Sequence, residues 1–182
     1  MAKRQVFFSF HYNNDNWRVA QVRNMGVVED QETFSDNSWD KVRLRSDAAI
    51  KNWIDNQLSM RSCVVVLIGS ETASRKWVQY EIEQGWKRGK GVVGIYIHNL
   101  KDRFGCQDDK GKNPFDDFYV DKAINGIWKR TTPLDADSVK MRDACKAYDS
   151  GFYYSENVYN YIKNHIQDWI EEAIEIRNRY PK

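Results

Sequence analysis

Trp77 and Glu81 are the residues of this chain whose types and spacing point most directly to chemistry. They fall in Ser70-Glu71-Thr72-Ala73-Ser74-Arg75-Lys76-Trp77-Val78-Gln79-Tyr80-Glu81-Ile82, directly after the apolar run Cys63-Val64-Val65-Val66-Leu67-Ile68. The run reads as a buried strand, Gly69 and Ser70 break it, and a helical pattern begins near Ser74. On a helix, residues four apart lie about 40° apart in angle and roughly 6 Å apart along the axis. An indole and a carboxylate can therefore face one cleft, just past the carboxyl end of a strand, where open α/β sheets hold their ligands. A carboxylate there could stabilise positive charge developing on a substrate. The plain alternative for Glu81 is a solvated helix residue, and for Trp77 core packing that orients the helix. Glu83, about 200° further round, reads as solvent-facing.

The other titratable side chains form no familiar metal or phosphate motif. His98 and His165 have no cysteine pair at zinc-ligand spacing, and Asp108-Asp109-Lys110-Gly111 is too irregular for a calcium loop. No Gly-rich loop of Walker or dinucleotide type occurs. Neither a metal nor a bound cofactor is expected. Arg75 and Lys76 stand near a helix amino terminus, where a cation is disfavoured by about 0.3–1 kcal/mol. Phosphate binding would account for them, but two solvent-facing bases is the plainer reading. Arg18 and Asp47 are candidates for a buried ion pair supporting the site, with surface placement as the default.

Alternating strands and helices are what would position these groups. Val6-Phe7-Phe8-Ser9-Phe10 reads as a first strand, ending at the polar cluster His11-Tyr12-Asn13-Asn14-Asp15. A helix follows over Trp17 to Asn24, then a segment with a short strand at Glu32-Thr33-Phe34 and a loop at Asp36-Asn37-Ser38. Ser46 or Asp47 can cap a helix whose positions Ala49, Ile50, Trp53, Ile54, Gln57 and Leu58 keep the 3.6 period. Next come the strand Cys63–Ile68, a helix from Arg75 to Lys87 and the strand Val92–Ile97. Residues 98–117 read as a long loop, a feature that in compact domains is often functional. A last strand is expected around Ile124–Lys129, and a helix with one apolar stripe over Ser155–Arg177. Such alternation predicts a three-layer α/β domain with a mainly parallel sheet covered on both faces, spanning 1–182 as one unit.

Composition sets the class. The chain has 182 residues, with seven Trp, ten Tyr and eight Phe to supply large burial areas. Its 28 basic and 26 acidic residues are mixed, for a net charge of +2, and no block is long enough to propose nucleic-acid or membrane binding. Three cysteines without paired spacing, Cys63, Cys106 and Cys145, fit a reducing cytosol, with Cys63 a small core residue. Met1–Gln5 runs straight into a strand, so no signal peptide is expected. The longest apolar run is too short to span a bilayer. A cytoplasmic protein is the expectation.

Several phrases together resemble the Toll/interleukin-1 receptor (TIR) fold. They are Phe7-Phe8-Ser9-Phe10-His11-Tyr12, Val66-Leu67-Ile68-Gly69-Ser70, Trp77-Val78-Gln79-Tyr80-Glu81-Ile82, Gly94-Ile95-Tyr96-Ile97-His98 and Lys112-Asn113-Pro114-Phe115-Asp116. More narrowly, they look like the bacterial TIR-like family that includes the ThsB component of Thoeris anti-phage defence. The likeness spans roughly the first two thirds of the chain and keeps order and approximate spacing. It implies a flavodoxin-like, TIR-type domain in which Glu81 is the catalytic carboxylate of NAD+ cleavage. It further implies an ADP-ribose-derived nucleotide signal, cyclic or conjugated, that reaches a separate effector. A phage protein as trigger and self-association into a homo-oligomer are further partners that the likeness leaves open.

One carboxylate suffices for that reaction. Hydrolysis of an ordinary sugar acetal needs a second carboxyl group to protonate the departing oxygen. Nicotinamide leaves NAD+ as a neutral pyridine, so no acid is required, only an anion near the ribose. Ser9, Phe10, His11 and Tyr12, at the end of the first strand, should face the Trp77–Glu81 helix across the crevice. Phe10 and Tyr12 are candidates for ring contacts, Ser9 and His11 for polar ones, and Trp77 for a further substrate contact. The fold also serves non-enzymatic interaction modules, so an adaptor is the competing function. A phosphoacceptor domain is disfavoured, since Phe10-His11-Tyr12 stands where its acidic cluster would be expected.

Overall fold

A computed structural model describes residues 3–28, 42 and 44–182. The expected strand Glu32-Thr33-Phe34 and loop Asp36-Asn37-Ser38 lie outside these residues.

The strands β1 (Val6–Ser9), β2 (Cys63–Ile68) and β3 (Gly91–Tyr96) are buried along their whole length. With a two-residue strand, β7 (Ala147–Tyr148), they form a sheet in the order β1-β2-β3-β7, with every neighbouring pair parallel. The strand pleat sends alternate side chains to opposite faces. Phe7, Val64, Val66, Ile68 and Val92 enter one core, with Ile50, Ile54 and Leu58 of α2 (Asp47–Ser59) and Val78, Ile82 and Trp86 of α3 (Lys76–Lys87). Val6, Phe8, Cys63, Val65, Leu67, Val93 and Ile95 enter the other. There they meet Val19 and Val22 of α1 (Tyr12–Arg23) and the stripe Val158, Ile162, Ile166, Trp169, Ile170 and Ala173 of α5 (Ser155–Asn178). The result is the expected three-layer α/β/α arrangement. Each fully buried Val, Leu or Ile contributes roughly 1.5–3 kcal/mol, so both faces hold the sheet firmly.

Local signals explain the helix placements. Ser46 caps α2 by accepting from the Ala49 backbone N–H at 3.3 Å, and α3 keeps Val78, Ile82 and Trp86 on one stripe at spacing four. Two glycines permit close layers. A Cβ on Gly85 of α3 would stand 2.5 Å from Val64 Cγ2, and one on Gly91 would stand 2.8 Å from the backbone N of Ile174 on α5.

Two expectations are corrected. α1 begins at Tyr12 rather than Trp17, because the polar stretch read as loop forms its first turn. Asp15 in that turn is buried and faces inward, so polarity there does not mean solvent. The strand expected around Ile124–Lys129 exists as β5 (Ile127–Lys129), yet it is not the last strand of the main sheet. It pairs antiparallel with β4 (Phe118–Asp121), which also pairs with β6 (Ser138–Lys140), forming a separate small sheet. A short helix, α4 (Met141–Ala144), then leads to β7. The small sheet buries Phe118, Val120 and Ile127 against the α3 side of the core, so it extends that layer. Among the described residues no helix is long and apolar enough to cross a membrane.

Candidate active site at the carboxyl edge of the sheet

Ser9 closes β1, Phe10 and His11 carry the chain out of the sheet, and Tyr12 opens α1. His11 occupies the cap position with extended backbone. Across from this junction Arg75, also extended, precedes α3, and the helical repeat then turns Trp77, Val78 and Glu81 toward β1. Between the walls lies a cleft of about 190 Å³. Phe10, His11, Tyr12 and Asn13 line one side; Arg75, Trp77, Val78 and Glu81 line the other. Of the residues picked from sequence, Phe10, His11, Tyr12 and Trp77 thus line the cleft with Glu81, and Ser9 is buried and bonded to Glu81.

Glu81 is 5% exposed and Ser9 is fully buried. Ser9 Oγ donates to Glu81 Oε2 at 2.5 Å. Burial pushes the Glu81 carboxyl up from its ordinary 4.5 to about 8, while the hydrogen bond from Ser9 works the other way by favouring the anion. The ligand-free protein therefore carries a mostly protonated carboxyl at pH 7. A cation arriving alongside would shift the balance toward the carboxylate, because an opposite charge nearby favours the ionised form.

The aromatic side chains have mixed duties. Phe10 and Tyr12 have ring centroids 6.2 Å apart, and the Arg23 guanidinium lies 5.4 Å from the centre of the Phe10 ring. Trp77 is half-buried against the core, meets Tyr80 edge-on with centroids 6.1 Å apart, and still borders the cleft. Both readings of that indole, packing and cleft wall, therefore describe one residue. Burial holds His11 below the ordinary histidine value; the Arg75 charge lowers it further, and Glu71 partly opposes. At neutral pH it is an uncharged ring with a donor and an acceptor nitrogen.

Sequence reasoning left out Asn13 and Val78 and placed Arg75 in solvent. Arg75 is partly exposed and also borders the cleft, where its Nη2 donates to Glu71 Oε2 at 2.6 Å. The signal was present, since a cation at a helix amino terminus is electrostatically misplaced unless something anionic compensates it. Lys76, its neighbour, does stay exposed and pairs with Asp47. Arg18 is not on the surface and does not meet Asp47. It is 3% exposed, and its Nη1 donates to the fully buried Asp15 at 3.2 Å. Its Nε and Nη2 donate to the carbonyls of Leu100 and Cys106 at 2.9 and 3.1 Å. The long loop turns those carbonyls inward and so demands a buried donor, which patterning cannot reveal. Asp108 completes the attachment by accepting from Asn14 Nδ2 at 2.9 Å and from Ser70 Oγ at 2.7 Å. The loop over residues 98–117 is thus tied to α1 and to the end of β2.

A parallel α/β/α domain with an acidic helix residue at the carboxyl edge is a TIR-like architecture, and comparison with known proteins narrows it. Residues 7–102 match the family described as "Thoeris protein ThsB, TIR-like domain", so the chain belongs to that family. The match takes in both walls of the cleft. The chain is also similar to a Bacillus cereus (strain MSX-D12) protein named "Putative cyclic ADP-D-ribose synthase ThsB1", with 42% identity over 121 residues. That alignment covers 64% of this chain and 62% of the relative's length.

Proposed function

We propose that this chain cleaves the nicotinamide–ribose bond of NAD+ and turns the ADP-ribose part into a nucleotide signal for a separate effector in anti-phage defence. The observation that carries the reading is the buried carboxyl of Glu81, hydrogen-bonded to Ser9 on the wall of the cleft. Family membership and the name of the Bacillus cereus relative support it independently. A cleft of about 190 Å³ is smaller than the roughly 300–1,000 Å³ pockets that enclose drug-sized ligands. It suits one end of a dinucleotide, and the nicotinamide-ribose end is the one whose chemistry the wall matches.

The positively charged nicotinamide ring, set between Trp77 and Phe10, favours the anionic form of Glu81, which gives up its proton to solvent as the ligand binds. As the carbon–nitrogen bond opens, its electron pair goes to the ring, which departs neutral, and positive charge moves to the ribose. The carboxylate of Glu81, oriented by Ser9, stabilises that charge without reorganising. Capture of the ribosyl carbon by an atom of the same molecule gives a cyclic product, and capture by an external base gives a conjugate.

Nicotinamide release by purified protein, and by extracts of phage-infected cells carrying it, is the test. Glu81→Gln keeps the size of the side chain and removes the charge, so release should fall by about 10²–10³, the usual loss when one such stabiliser goes. Release at the wild-type rate from that variant defeats the assignment. Silence of the wild-type protein in both settings favours the interaction module instead. Mass spectrometry of the small molecules made during infection identifies the product.

A further inference from the structure

The mouth of the cleft carries an unusual three-way contact that the cleavage chemistry does not use. Glu71 lies in the turn before α3, its side chain 58% exposed, and one of its oxygens serves two cleft residues at once. Oε2 accepts from Arg75 Nη2 at 2.6 Å and stands 3.6 Å from His11 Nδ1, one residue from each wall. The pairing leaves both cleft residues under-used. Arg75 Nε and His11 Nδ1 are buried atoms without a hydrogen-bond partner, although buried polar atoms are normally satisfied. Among the described residues that line the cleft, Arg75 carries the one permanent positive charge.

We propose that Arg75 and His11 form the diphosphate end of the cleft, and that Glu71 is a resident anion which must release them before a dinucleotide binds. The inference rests on the dinucleotide reading of the cleft and adds to it a binding pair and a built-in competitor. A diphosphate offers several oxygens, so it can engage the guanidinium through two parallel N–H bonds and reach the imidazole as well. Glu71 uses only one N–H of the arginine and does not come within bonding distance of the histidine. Its half-exposed ion pair belongs to a class that contributes little, so a phosphate displaces it readily. The contact filters ligands: nicotinamide riboside, which has no diphosphate, gains nothing from the exchange, whereas NAD+ gains a charge-assisted contact. It also accounts for the cation at the amino end of α3, held quiet by Glu71 when no ligand is bound.

The test is binding of ADP-ribose, which has the diphosphate but no nicotinamide, measured by calorimetry on the full chain. Wild type, Glu71→Gln, Arg75→Gln and the double variant are compared, with circular dichroism to show that each is folded. Arg75→Gln should weaken binding about tenfold or more, the scale of a hydrogen bond to a charged group. Glu71→Gln should tighten it about two- to fivefold, the scale of a surface ion pair removed. That gain should vanish in the double variant, because Glu71 acts through the arginine. Wild-type affinity in Arg75→Gln, a Glu71→Gln gain that survives without the arginine, or a wild-type protein that does not bind ADP-ribose overturns the inference. A protein that binds in the expected pattern yet releases no nicotinamide keeps it and refutes the catalytic reading. One that cleaves NAD+ with affinities indifferent to both positions does the reverse.

Discussion

Replacing Glu81 by Gln tests the electrostatics of the site without any substrate, through the pH dependence of folding. In the native protein burial holds this carboxyl at about 8, against 4.5 in the ordinary exposed state. Below pH 4.5 the group is protonated whether the chain is folded or not, and its burial is at its least costly. As pH rises the unfolded chain releases the proton and the native one keeps it, so stability falls at about 1.4 kcal/mol per pH unit. By pH 8 the accumulated loss is about 5 kcal/mol, a large fraction of a typical domain's stability. Other buried groups act mostly elsewhere on the scale. Asp15, pushed up by burial to about 6, has the same sign but is exhausted above that pH. His11 and His98, both lowered by burial, act below the ordinary histidine value of 6.5 and with opposite sign. Cys63 and Cys145 are raised and act only above the ordinary thiol value of 9.0. The window from about pH 6.5 to 8 therefore isolates Glu81, with an expected fall of about 2 kcal/mol in the wild type. Urea unfolding at half-unit steps measures this, read through midpoints with unchanged m-values. The variant should be flat across the window and more stable than wild type at its upper end. Parallel curves for the two proteins would refute a raised, buried carboxyl at position 81.

Two further outcomes follow from the same geometry. Ser9→Ala removes the hydrogen bond that favours the ionised form of Glu81, so the rising limb of kcat/KM against pH should move to higher pH; an unmoved limb shows that the serine does not tune the carboxyl. Arg18→Met leaves Asp15 buried without its ion pair and the loop carbonyls without donors. It should cost about 3–5 kcal/mol and speed amide exchange over residues 100–106, whereas protection equal to wild type contradicts the tether.

The parts of the fold that could be read from the sequence are those in which burial alone decides. Cys63–Ile68 is apolar at every position and forms β2 over those same bounds, because both of its faces are covered. The apolar stripe predicted over Ser155–Arg177 ends one residue short of α5, since a long amphipathic helix repeats its signal many times. β4 to β7 are two to four residues long, and periodicity has no room to show in them. The site divides in the same way. That Glu81 and the end of β1 should share the carboxyl edge follows from α/β topology. That Ser9 turns its hydroxyl to Glu81, or that Arg18 reaches the loop carbonyls of Leu100 and Cys106, depends on contacts between distant segments. Local spacing carries no trace of them.

The evenness of β2 has one last consequence. Val64, Val65 and Val66 would sit about as comfortably one position along the ladder, so hydrophobicity scarcely specifies how this strand aligns with its neighbours. Discrimination falls to places where only a hydrogen atom fits: Gly85 over Val64, and Gly91 under the α5 backbone. Slide β3 by a single residue and the isopropyl group of Val92 arrives where Ile174 leaves no space. In this protein the alignment of the sheet is enforced from the helices inward, by exclusion.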